Sequence, residues 1–151
     1  MGFLSPPRVH VSMHYEEVTT TREFVGRLDH GADWRAEIES LAAEEGVDAG
    51  WFTALGAVQD ATLWYYDQDD LEYHPVEFDE PLEVAACVGN VAELDGDPFA
   101  HTHAVLSRRS GQALAGHLDS ATVWAGEVHL REFDEPLVRE HDEVTDLDLW
   151  L

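Results

Sequence analysis

The chain has 151 residues, with 32 acids against 8 bases and a formal net charge of -24. A hydrophobic fraction of 44% supplies a core and excludes a disordered chain despite that charge, and the length suits one domain. The single cysteine, Cys87, excludes an intrachain disulfide and a cysteine-built zinc cluster, and no apolar run reaches the roughly 18–20 residues of a membrane span.

Residues 1–20 read as a peripheral N-terminal extension, because Pro6-Pro7 and Thr19-Thr20-Thr21 carry no periodic apolar pattern; Met13 is a second possible start. The rest, 21–151, reads as a single domain. Residues 22–28 are a plausible first strand, broken at His30-Gly31. Residues 32–45 are the one clear helix: Trp34, Ile38, Leu41 and Ala42 recur at helical spacing against an acidic face, and Gly46 stands where a left-handed cap belongs. Strands are expected over 51–57, 61–66, 71–78, 81–91, 100–106, 112–118 and 121–133, the third of them demoted by Pro75. Turns are expected at 67–70, 93–98 and 107–111, and residues 134–150 read as an acidic, irregular tail. One main helix, room for a second short one, and strands joined by short turns predict an α+β domain with a mainly antiparallel sheet.

Every base is an arginine and none is a lysine. The acids are spread along the chain, which suits a protein of a saline cytoplasm, where a short Debye length relieves self-repulsion; a basic partner is the alternative. Nucleic acid is disfavoured, since phosphate binding rests on clustered Lys and Arg and weakens with salt; only Arg108-Arg109 form a basic pair. The first ten residues lack the basic and apolar regions of a signal peptide, so a cytoplasmic location is expected.

His101-Thr102-His103 lies in a strand pattern that puts both imidazoles on one face, roughly 6.5–7 Å apart along the strand. Rings that far apart can lean onto one metal ion, and His117, on the strand expected next to theirs, would complete three histidines plus a water as an open site. The alternative is three half-buried histidines bonded to backbone. Glu127 sits among Trp124, Ala125, Gly126 and Val128 and alternates with His129 and Arg131. It is a candidate acid/base, a fourth ligand or an orienting group, or else a strand residue turned to water. Glu83 raises the same question, with Arg22 or Arg27 as its partner. His10, His14, His30, His74 and His141 read as surface residues, and Cys87 as a small core side chain. Trp64, Tyr65 and Tyr66 read as core aromatics of a half-buried strand. No nucleophile elbow and no phosphate-binding glycine loop occurs.

Gly50-Trp51-Phe52, Leu55-Gly56-Ala57, Glu80-Pro81-Leu82-Glu83, Gly89-Asn90-Val91, Pro98 to His103 and Gly116-His117-Leu118 occur in order, followed by Glu135-Pro136-Leu137 and Arg139. This ordered set resembles the plant-and-prokaryote-conserved (PPC) domain over roughly residues 22–150. The resemblance implies a compact α/β, sandwich-like fold around a curved, mostly antiparallel sheet, assembled as a homotrimer. Plant members follow AT-hook segments, and prokaryotic members often carry a DNA-binding label; this chain has no Arg-Gly-Arg-Pro core. Some prokaryotic members contain metal, and their His-x-His and Gly-Gly-His positions match His101, His103 and His117. Zinc or another divalent transition metal is thereby implied, with Ala115 replacing the first glycine of the second motif. The fold is also similar to that of acetolactate decarboxylase, a zinc enzyme with three histidine ligands. Three readings follow: a metal-binding, ligand-sensing trimer of open activity; a zinc-dependent lyase or hydrolase on a small polar acid, with Glu127 as acid/base and an arginine as anchor; and a DNA-associated regulator.

Overall fold

The computed structural model describes residues 13–150, so residues 1–12 of the expected extension 1–20 lie outside the described residues. In chain order the elements are β1 (Thr20–Leu28), α1 (Trp34–Glu45), β2 (Gly50–Asp67), β3 (Glu72–Phe78), β4 (Leu82–Leu94), β5 (Asp97–Ser107), β6 (Ala113–Phe133), β7 (Arg139–Asp142) and β8 (Leu147–Trp150). The protein is an α+β domain, with antiparallel pairing between all named strands. Among the described residues α1 is the one α-helix, and the second short helix for which the sequence left room is not found. Among the described residues no helix is long and apolar enough to cross a membrane.

Asp33 sets the start of α1. Its Oδ1 accepts from the Ala36 amide at 2.9 Å, satisfying one of the free donors of the first turn, and its Oδ2 accepts from the Ala121 amide of β6 at 3.0 Å. Gly46 ends the helix in the left-handed region, at φ 66°. Trp34, Ile38 and Ala42 are fully buried, so the helix lies with this stripe against β5 and β6.

The sheet runs β1-β6-β5-β4-β2-β3, with a further pairing of β6 to β2. That extra pairing closes β2, β4, β5 and β6 into a circuit. Phe52, Val58, Val91, Leu106, Leu118, Val123 and Leu130 fill its interior, each burial being worth about 1.5–3 kcal/mol. Two expected breaks are absent. Residues 51–57 and 61–66 belong to one strand, β2, and residues 112–118 and 121–133 almost wholly to another, β6. Register shifts at Val58/Ala61 and Thr62/Leu63 bend the pair instead of ending it. The polar residue at that bend is accommodated: Asp60 Oδ1 accepts from the Thr122 amide and hydroxyl at 3.2 and 3.0 Å. Gly56, at φ 150° beside another shift, is the residue a bulge allows, since a Cβ would meet the Ala125 carbonyl oxygen at 2.1 Å. Pro75 is tolerated because β3 ends the sheet order.

The tail is a second correction. Residues 139–150 form the β7–β8 hairpin, not an irregular segment. Asp142 Oδ2 accepts from the Thr145 amide at 2.9 Å and its hydroxyl at 2.7 Å, an Asx-type turn that closes the hairpin. The hairpin is attached to the main sheet through the Tyr66 hydroxyl, which donates to the Thr145 carbonyl, and through the Arg139 guanidinium.

Candidate metal centre

His117 stands where β6 changes partners: it faces His103 of β5 on one side and Trp64 of β2 on the other. His101 and His103 share one face of β5, as alternation requires, with ring centroids 5.0 Å apart. The same centroids lie 5.2 and 5.5 Å from that of His117. One nitrogen from each of the three rings falls within 4.8 Å of the others.

The Nε2 atoms of His101 and His103 are 3.2 Å apart, close to the roughly 3.3 Å that separates two nitrogens on one tetrahedral zinc at 2.0–2.1 Å. The Nδ1 of His117 is buried with no hydrogen-bond partner among the described residues, and a buried polar atom of that kind calls for a ligand. Burial, joined by the charge of Arg139 and by the neighbouring imidazoles, pushes His101 and His117 down to about 4. His103 is lowered by burial alone. The rings are therefore neutral, the state that offers a lone pair to a metal. No carboxylate pairs with any of the three among the described residues.

The cluster borders a cavity of about 340 Å³ whose lining includes Trp64, Tyr73, Phe99, Arg35 and Arg139. Trp64 stacks on His117 at 6.0 Å between centroids, and Tyr73 approaches it at 5.3 Å. The two guanidiniums lie over the Phe99 ring, at 5.5 Å for Arg35 and 5.4 Å for Arg139. The β7–β8 hairpin forms one wall through residues 146–149. Trp64 thus lines the cavity as well as packing.

Glu127 does not join the histidines. It is exposed and lines a separate, more open hollow of about 530 Å³ with Val25, Arg27, Leu55 and His129. His129 there is held by Glu23, with Nε2 2.6 Å from Oε2. Glu83 is exposed and meets neither expected arginine: Arg22 pairs with Glu132 at 2.6 Å and Glu45 at 3.4 Å, and Arg27 faces Glu127 across the β1–β6 register. Cys87 is buried in the core, its thiol pushed up to about 11 by burial. His30, His74 and His141 are exposed. A second cluster, Asp67, Asp70 and His74, also falls within 4.8 Å, but on the exposed β2–β3 turn, where His74 already faces Asp70 at 2.9 Å.

Sequence reasoning missed the wall opposite the histidines. Arg139 and Phe99 figured only as parts of motif strings, and Arg35 and Tyr73 were not singled out. The Asp142-to-Thr145 spacing was the available signal that the tail turns back as a hairpin.

Residues 15–134 match the Plants and Prokaryotes Conserved (PCC) domain. No curated protein matches the sequence. Among solved structures, a metal-containing protein from Archaeoglobus fulgidus is 41% identical, with a TM-score of 0.88, covering 92% of this chain and 99% of its own. A plant- and prokaryote-conserved protein from Pyrococcus horikoshii is 25% identical, with a TM-score of 0.87, covering 92% and 97%. A candidate DNA-binding protein from Bacteroides thetaiotaomicron shares the fold at 22% identity and a TM-score of 0.81, covering 88% and 96%.

Proposed function

Because the chain belongs to the Plants and Prokaryotes Conserved (PCC) domain family, we propose that it is a small homotrimeric protein holding zinc or another divalent transition metal on His101, His103 and His117. One observation carries this reading: three neutral imidazoles, unpaired with any acid, converge within 4.8 Å. Histidine nitrogens suit zinc and its first-row neighbours better than calcium or magnesium. The metal-containing relative at 41% identity supports the same reading. When bound, such an ion supplies a Lewis acid that polarises an oxygen on a ligand or water. The chain itself supplies neutral donors held on paired strands, an aromatic wall that excludes water, and Arg139 at the cavity's edge.

Trimer formation is supported by apolar side chains left on the outward face of the sheet. Val25 is 85% exposed and Leu55 55%, and Trp51 and Val88 also stand in solvent, a grouping of apolar side chains of the kind that association covers. His103, the exposed member of the cluster, is the register partner of Val88, so subunit contacts on this face would run beside the site. A DNA-binding role lacks the basic surface it needs. A lyase or hydrolase reading loses its proposed acid/base, since Glu127 lines another hollow.

The test is metal content by mass spectrometry on untagged protein in molar KCl, beside a His101→Ala/His103→Ala double variant. About one transition-metal ion per chain, lost in the variant, is the expected result; no metal in either protein overturns the reading. Sedimentation as a monomer in the same buffer overturns the trimer.

A further inference from the structure

We infer that the cavity beside the three histidines receives a small organic carboxylate, with Arg139 as its counter-charge. The inference deepens the metal reading and rests on it for the ligand's second anchor. Arg139 itself carries the first.

Arg139 is only 8% exposed, and its guanidinium has no acid to meet. One terminal nitrogen donates to the Asp148 backbone carbonyl at 2.7 Å and the other to Asn90 Oδ1 at 2.6 Å, both neutral acceptors. The Nε is buried with no partner. Among the described residues no carboxylate oxygen lies within 4.0 Å of it. A buried cation with no carboxylate in contact is costly: Asp148 acts on it only from beyond contact distance, and the contact with the Phe99 ring returns less than the desolvation penalty.

Of the acids lining the same cavity, Asp119 faces Arg35 at 3.8 Å and Asp146 and Asp148 lie 3.3 and 3.6 Å from the exposed His141 ring, so none contacts Arg139. A divalent cation on the histidines would add positive charge to the same hollow, and an anionic occupant would offset it and give the unpartnered Nε of Arg139 an acceptor.

The walls select its class. About 340 Å³, lined in part by Trp64, Tyr73 and Phe99, suits a few carbon atoms and excludes a polymer. Two of the five N–H groups of the guanidinium are spent on protein acceptors, and those that remain, the unpartnered Nε–H among them, suit the two oxygens of a planar carboxylate. A further oxygen on the ligand is then free for the metal.

Calorimetric titration of metal-loaded and metal-stripped protein with malonate, and with neutral malonamide of the same shape, decides the matter. Malonate is expected to bind the loaded protein about tenfold or more tightly than malonamide, and Arg139→Gln to lose about tenfold to hundredfold in malonate affinity at unchanged metal content. Arg139→Lys is expected to recover part of the loss. Equal binding of malonate and malonamide, or full malonate affinity in a folded Arg139→Gln protein, overturns the inference. So does chloride competing as well as malonate at equal concentration, which would mark a simple-ion site. If Arg139→Gln does not fold, the malonate-to-malonamide ratio on the wild-type protein decides alone. Metal without a preference for malonate removes the carboxylate and leaves the metal reading standing. Arg139-dependent malonate binding without metal does the reverse.

Discussion

His117 and His129 stand on the same strand, β6, yet live in opposite surroundings. His117 is 8% exposed, stacked on Trp64, unpaired with any acid and held neutral. His129 is on the outward face, shares a proton-length contact with Glu23 and looks into an open hollow. Both belong to a set with a neighbouring carboxylate or imidazole and a concavity beside it. What separates them is whether the lone pairs are already spoken for. A histidine satisfied by a carboxylate is a surface hydrogen-bonded pair, and a histidine kept neutral and unsatisfied among other imidazoles is a candidate ligand.

The largest effect should come from the strand's inner end. His117→Ala should weaken metal binding by more than about a hundredfold, since even residues that merely support a ligand cost 10–100-fold, whereas His129→Ala should leave metal content unchanged. Equal losses, read by metal analysis after dialysis, would erase the distinction between the two ends.

Acid separates the regions next. His101 and His117 have folded values of about 4 against an ordinary 6.5. The unfolded chain therefore takes up protons first, so the stability these rings contribute is present above pH 6.5 and is lost as pH falls from there towards 4. Metal-free protein in molar KCl should lose up to about 4 kcal/mol between neutral pH and pH ~5, about half from each ring. A His101→Gln/His117→Gln variant should lose distinctly less, by denaturant titration. An identical acid slope in that variant would show that the cluster is not the group being titrated.

Backbone packing offers a third contrast. A Cβ on Gly89 would meet the His101 carbonyl oxygen and the Phe52 ring, each at 2.3 Å, whereas on Gly26 it would meet only Val128 Cγ1 at 3.5 Å. Gly89→Ala should cost about 1–3 kcal/mol or more, and Gly26→Ala should be close to neutral. Thermal melts of the two variants check this, and a neutral Gly89→Ala would mean the site end is looser than its geometry.

The same contrast explains what was legible from residues alone. The His-x-His alternation is local, and a period of two places both rings on one face without any knowledge of the fold. The helix was equally local: the apolar spacing and Gly46 both act within a turn. Arg139 was not legible, because its role depends on a hairpin that returns across Tyr66 and Asn90, contacts 49 residues or more away. Glu127 misled for a related reason. A carboxylate among apolar neighbours in sequence can lie on the wet face of a strand, and only the pairing of β6 with β1 and β2 shows which face is wet. The continuity of β2 and β6 was not legible because the register shifts that carry the pair past Asp60 depend on pairing between residues far apart in sequence.

The smallest effect is the most discriminating about the outward face. Glu23 and His129 meet at 2.6 Å, with side chains 53% and 34% exposed, and Arg131 approaches the same carboxylate at 3.9 Å. Exposed pairs of this sort contribute roughly 0.2–1 kcal/mol at low salt. In molar salt the screening length falls to about 3 Å, about the length of the contact itself. Glu23→Gln should therefore lower the melting temperature slightly at low ionic strength and leave it unchanged in molar KCl. A large loss that persists in molar KCl would mean that the pair is shielded from solvent, as it would be if a neighbouring subunit covered this face. The salt dependence of one exposed ion pair thus reports on whether Val25, Leu55 and their neighbours are covered in solution.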